Sequence, residues 1–230
     1  IENIMEHIAM KIKKDPLEVR LANIPGDSEM RTYLQDFAKA TGKFKLYLIR
    51  ALLTKKFKPD YHNRRKAIDE FNKGNRWTKR GIGIVPMKYP FDYFGITHAL
   101  VSIYHRDGSV SITVGGIEMG QGLNTKVAQT AAHILGISLD KISIKPSNSH
   151  TAPNAIVTGG SIGSEISCFA VKKACEILKE RLKPLQSKNL SWEEMIEAAF
   201  GKDIDLSANY MYKTSDLEEY EVYGASCCEV

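Results

Sequence analysis

The chain has 230 residues, 43% of them hydrophobic and 26% charged, with 17 Gly, 8 Pro and a net charge of +5. That composition excludes disorder, a collagen-like repeat and a coiled-coil rod, and its length suffices for one large domain or two small ones. No run approaches the roughly 18 uninterrupted apolar residues of a membrane span, and Ile1-Glu2-Asn3 opens no secretory leader. A soluble, non-secreted, cytoplasmic protein that does not bind membranes is expected.

Ile1, Ile4, Met5, Ile8 and Ile12 recur at the spacing of an amphipathic helix. Asp15-Pro16-Leu17-Glu18 then restarts a helix, with Asp as N-cap, Pro at the first helical position and Glu closing a capping box. Pro25-Gly26-Asp27 breaks the pattern and marks a candidate boundary. Residues 31–58 and 62–76 read as further helices. Gly81 to Pro86 is a short strand, and Thr97 to Tyr104 and Ser109 to Val114 form a hairpin across Arg106-Asp107-Gly108. A glycine-rich turn leads to a helix ended by Gly136 and then a strand at residues 141–145. A second such turn, Thr158 to Glu165, opens a helix stopped by Pro184, and Ser191-Trp192-Glu193-Glu194 caps another. Helices and strands mix without strict alternation, so the expected class is α+β.

Charge is unevenly spread: residues 1–90 hold 20 Lys/Arg against 10 Asp/Glu, and residues 151–230 hold 8 against 13. Runs such as Lys55-Lys56-Phe57-Lys58 could meet nucleic-acid phosphates, but their helical spacing favours a solvated face, and no nucleic-acid partner is expected. Cys168, Cys175, Cys227 and Cys228 form no C-x-x-C pair, which makes them small hydrophobes in a reducing compartment. His98, His105, His133 and His150 share no partner and read as structural or exposed.

Both glycine-rich turns deliver the chain to a helix N-terminus, where free N–H groups and the helix dipole favour anions. Neither is a common nucleotide loop: Gly120-Gln121-Gly122-Leu123-Asn124-Thr125 lacks the third glycine of G-x-G-x-x-G, and no Gly-Lys pair makes a phosphate loop. Glu118, Gln121, Asn124 and Ser161 are the polar residues able to meet a ligand. Gln121, between glycines, is favoured as a contact. Glu118 is either a general base or a carboxylate bonded to backbone amides.

Gly115-Gly116-Ile117-Glu118-Met119-Gly120-Gln121-Gly122-Leu123-Asn124-Thr125-Lys126 closely resembles the molybdopterin-contacting stretch of the xanthine dehydrogenase and aldehyde oxidase family of molybdenum hydroxylases. The resemblance extends over Thr158 to Glu165, Trp77-Thr78-Lys79-Arg80-Gly81 and the Asp15 to Arg20 helix. It implies an oxidoreductase that inserts water-derived oxygen into an aldehyde or N-heterocycle C–H, passing electrons through the pterin to 2Fe-2S clusters and FAD. Met119, Gly120 and Gln121 would lie against the pterin and molybdenum. Gly159, Gly160 and Ser161 would present amides to the metal's other ligands, with Gly160 nearest. Residues 1–27 would be the tail of one molybdopterin-binding subdomain and 28–230 the incomplete first part of the next.

No Gly-Glu-Pro occurs, so the resemblance puts the family's catalytic glutamate beyond Val230, its Arg-Gly-Phe-Gly-Gly segment before Ile1, and leaves this fragment inactive alone. Gly159-Gly160, where xanthine dehydrogenases commonly carry Ala-Ala, together with Asn124 points to an aldehyde oxidase of insect type. A homodimer is implied for the complete enzyme.

Overall fold

The computed structural model describes residues 1–40, 60–186 and 189–230. They form two compact units, Ile1–Pro90 with Glu221–Val230 and Phe91–Tyr220. The mixture of helices and short sheets is α+β, as expected.

The first unit carries helices α1 (Glu2–Ile12), α2 (Pro16–Asn23), α3 (Glu29–Ala40) and α4 (Tyr61–Gly74), and a two-stranded sheet of β1 (Ile82–Phe91) and β6 (Tyr220–Glu229). Asp15 Oδ1 accepts from the N–H groups of Leu17 and Glu18, and Pro16 occupies the first helical position, so the expected N-cap and proline of α2 are realised, while Glu18 does not return the bond that would complete the expected capping box. The sequence places α1 correctly but not its buried side. Ile1, Ile4, Ile8 and Ile12 are exposed, whereas Ala9 is buried. Arg20 of α2, itself buried, accounts for this by donating to Glu2 (2.7 Å) and Glu6 (2.9 Å), which turns the charged side of α1 toward α2.

Leu17, Met30, Leu34, Ala38, Tyr61 and Ile84 form the core of this unit. The expected helix at 31–58 begins at Glu29; its remainder, with Lys55 to Lys58, lies outside the described residues. Strand β1 outruns its expected length, reaching Phe91 through Pro86 and Pro90. In a two-stranded sheet each strand keeps a free edge on which a missing N–H does no harm.

The second unit is built on a four-stranded sheet in the order β4-β3-β2-β5, from β2 (Thr97–Ile103), β3 (Val110–Val114), β4 (Ile142–Ile144) and β5 (Ser207–Tyr212). The expected hairpin forms: β2 and β3 pair antiparallel with Ile103 opposite Val110 and Ala99 opposite Val114. Along β2, buried and half-buried residues alternate, as period two requires of a sheet covered on one face. That cover is α5 (Leu123–Leu135) and α6 (Gly163–Gln186), with α7 (Trp192–Phe200) packed on α6. Leu123, Val127, Ala131, Ile166, Ala170, Ala174 and Leu178 meet Ala99, Val101 and Ile112 in one core.

Strand β4 lies parallel to β3, so the chain from β3 through α5 to β4 is a crossover unit, and its first turn is rich in glycine. Gly136 ends α5 in the left-handed conformation (φ 74°). Ser191 caps α7 as expected, and with Glu194 it forms a reciprocal capping box. Pro184 does not stop α6, which continues to Gln186 because buried Leu182 and Leu185 hold its last turn in the core.

Candidate functional site

The two glycine-rich turns meet at the helix-covered end of β3. The first leaves the sheet at Val114, and the Gly115 N–H donates to His98 O (3.1 Å). A Cβ at Gly115 would lie 2.6 Å from Ala155 Cβ and from Thr97 Oγ1, so the chain passes here only as glycine.

Beyond this point the turn is closed by its own side chains. Glu118 Oε1 accepts from the N–H groups of Gly120 (2.8 Å) and Gly122 (3.0 Å), and Oε2 accepts from Asn124 N–H (3.0 Å). Gln121 spans the loop: its Oε1 accepts from Met119 N–H (2.7 Å) and its Nε2 donates to Ile117 O (2.8 Å). Of the two sequence readings of Glu118, the structure selects the backbone one. The amides of Asn124, Gly120 and Gly122 hold its carboxyl below the ordinary glutamate value, the opposite of what a general base needs. The first turn of α5 thus already carries an anion, contrary to the expectation that this helix end is free to receive one.

The second turn is held from other segments. Thr158 Oγ1 accepts from Ile117 N–H (3.0 Å), and Lys126 Nζ donates to Ser164 Oγ (2.9 Å), so one of its ends is tied to the first turn and the other to the helix that follows that turn. Gly160 and Ser161 are consecutive left-handed residues (φ 63° and 61°), a conformation that serine adopts at some cost. Ile162 anchors the turn in the core.

Met119, Gly120, Gln121, Gly159, Gly160 and Ser161 are all exposed and lie on these two joined turns. Beside the first is a cleft of about 340 Å³ lined by Ile117, Glu118, Asn124, Lys145 and Ser147. Along α5 and α6 a groove of about 690 Å³ is lined by Lys126, Thr130, His133, Ser164 and Lys172. The scattered histidines stay apart: His105 stacks on Phe200 and contacts Glu197 (3.0 Å), and His98 faces Asn209. Cys175 is buried, which pushes its thiol up to about 12 and makes it inert packing.

Sequence reasoning missed Tyr93, Phe94 and Tyr220. The phenol O–H groups of Tyr93 and Tyr220 donate to the two carboxylate oxygens of Glu165, and Phe94 lies against Gly160. Nothing in the spacing marks residues so far from the turn. The hydroxyl at the entry to the turn, Thr158, is a signal that could have been used.

A flat, electron-rich cofactor fits this surface. Nothing lies within 4 Å of a Cβ added at Gly120, Gly122 or Gly159, so a ligand can approach the backbone there. Among the described residues no three His, Cys, Asp or Glu side chains could hold a metal ion.

Comparison with known proteins gives the family. The family model "Molybdopterin cofactor-binding domain" matches residues 55–230, a span that includes both turns. The chain belongs to this family. Among curated relatives of this molybdopterin-binding chain, rat (Rattus norvegicus) aldehyde oxidase 3 is 38% identical over 97% of the chain. Chicken (Gallus gallus) xanthine dehydrogenase/oxidase is 37% identical over 98%. The chain spans 18% and 17% of their respective lengths. The fold is that of larger solved structures. Quinoline 2-oxidoreductase from Pseudomonas putida 86 matches all of this chain over 34% of its own (TM-score 0.66, 18% identity). Aldehyde oxidoreductase from Desulfovibrio gigas matches 98% over 25% of its own (TM-score 0.63, 21% identity). Among the described residues no helix is long and apolar enough to cross a membrane.

Proposed function

We propose that this segment supplies part of the molybdopterin pocket of an aldehyde oxidase-type molybdenum hydroxylase. The observation that carries the reading is the junction of the two turns through Thr158 and Lys126, with the faces of Gly120, Gly122 and Gly159 left clear. Met119, Gly120 and Gln121 would contact the pterin and the metal's oxo or sulfido face. Gly159, Gly160 and Ser161 would present backbone amides to the metal's remaining ligands, Gly160 closest. When bound, the group supplies insertion of water-derived oxygen into an aldehyde or N-heterocycle C–H bond and takes up the electron pair.

The chain's own part is positioning. Gln121 keeps one amide hydrogen and one lone pair beyond those closing its loop, enough to donate to and accept from the pterin edge. Glu118 holds the turn in one shape and moves no proton. The catalytic glutamate, the 2Fe-2S clusters and FAD would come from the rest of a cytoplasmic, homodimeric enzyme. Residues 1–27 would close a preceding subdomain and 28–230 begin the next. Gly159-Gly160 supports an aldehyde over a purine substrate.

A phosphate or nucleic-acid binding module is disfavoured, because Glu118 occupies the α5 N-terminus, and Arg64 and Arg65 pair with Glu229 and Asp15. Gln121→Ala in the complete enzyme is the test. Molybdenum content or turnover should fall, and full content with an unchanged rate would overturn the reading.

A further inference from the structure

We infer that Glu165, gripped by Tyr93 and Tyr220, is a positioning residue that sets the backbone of the second glycine turn for the cofactor. This rests on the pocket reading above.

Two consecutive left-handed residues, one of them serine, persist only where their surroundings fix them. Glu165 lies in the first turn of α6, four residues after Ser161, so whatever fixes its carboxylate fixes the start of the helix into which the strained pair leads. The Tyr93 O–H donates to Oε2 and the Tyr220 O–H to Oε1, which satisfies both oxygens from two segments distant in sequence. Both phenols are held: the Tyr220 ring stacks on Phe91 (4.8 Å, 9°), and the Tyr93 ring meets the buried Tyr212 edge-on (6.5 Å). Phe94, next in the chain to Tyr93, backs the other end of the turn. A Cβ added at Gly160 would lie 3.1 Å from its ring.

Residues 93 and 94 therefore seize the turn twice, by a charge-assisted hydrogen bond at Glu165 and by an aromatic wall at Gly160. A carboxylate lets both phenols donate, because it accepts from both and donates to neither. An amide offers one acceptor atom, so the second hydroxyl would have to turn and accept from an N–H, without the charge assistance.

The complete holoenzyme is the material for the test. Glu165→Ala should lose molybdenum on dialysis about 10- to 100-fold faster, the range for loss of a group that orients a metal site's contacts. The electron paramagnetic resonance line shape of its reduced molybdenum should change, which loss of stability alone would not cause. Glu165→Gln should fall between, and its effect should be non-additive with Tyr93→Phe. If Glu165→Ala does not fold, Tyr220→Phe, which keeps the ring stacked on Phe91, carries the test with the same two readouts.

Wild-type retention and line shape in the Glu165 and Tyr220 variants, while Gln121→Ala loses cofactor, would overturn the positioning role alone. Full retention in Gln121→Ala as well would overturn the pocket reading, and this proposal with it.

Discussion

The two glycine-rich turns look alike in sequence and are stabilised in opposite ways. The first is self-contained: Glu118 and Gln121 satisfy the amides of Met119, Gly120, Gly122 and Asn124, all within seven residues. The second depends on its surroundings, through Thr158, Lys126, Phe94 and the two phenols on Glu165. A glycine-rich stretch before a helix therefore does not announce an empty anion site. Whether a carboxylate precedes the glycines decides whether the helix end is already occupied.

Four expectations would break or sharpen this contrast in the complete enzyme. The largest effect belongs to the core that carries both turns. Leu178→Ala, at a fully buried site on α6, should cost roughly 2–5 kcal/mol, read as lost hydrogen-exchange protection in β2 and β3. Equal protection before and after would mean that α6 does not support the sheet.

Next come neighbouring glycines with different surroundings. Gly160→Val meets φ 63° and the Phe94 ring and should cost about 1–3 kcal/mol. Gly159→Val, into open space, should change stability by less than about 0.5 kcal/mol yet weaken cofactor retention. Reversal of that order by thermal unfolding would remove the argument that Phe94 walls the turn.

Acid separates the turns further. The folded state lowers the Glu118 pKa, so its contribution is present above the ordinary glutamate value of 4.5 and is lost as the pH falls through the lower folded value. Protection of the Gly120, Gly122 and Asn124 amides should drop in that window before any change at residues 159–164. Glu118→Gln should show the same loss at neutral pH, and unaltered protection there would contradict the carboxylate's role.

The smallest effect is expected at the tie between the turns. Lys126→Ala removes an exposed hydrogen bond to Ser164 and should cost less than about 0.5 kcal/mol. A larger loss by denaturant titration would give this exposed tie more weight than the ring and phenol contacts that hold the second turn.

Local signals account for most of the agreement between sequence and structure. Asp15-Pro16, the Asp107-Gly108 hairpin, Gly136 and the Ser191 capping box are each decided within a few residues, and each forms. The disagreements have distant causes. The exposed stripe of α1 follows from Arg20, 18 residues from Glu2, and the passage of α6 through Pro184 follows from core contacts of Leu182 and Leu185. The same division holds at the site. The turn residues were evident from their glycines, while Tyr93 and Tyr220, 72 and 55 residues from Glu165, were not.

The side-chain closure of the first turn also bears on how binding proceeds. Confining a backbone residue costs about 1–2 kcal/mol, and for residues 118–122 that cost is incurred when the chain folds, not when a ligand arrives. A surface preorganised in this way should show little slow rearrangement on association, and its ligand's residence time should be governed by contacts made after docking.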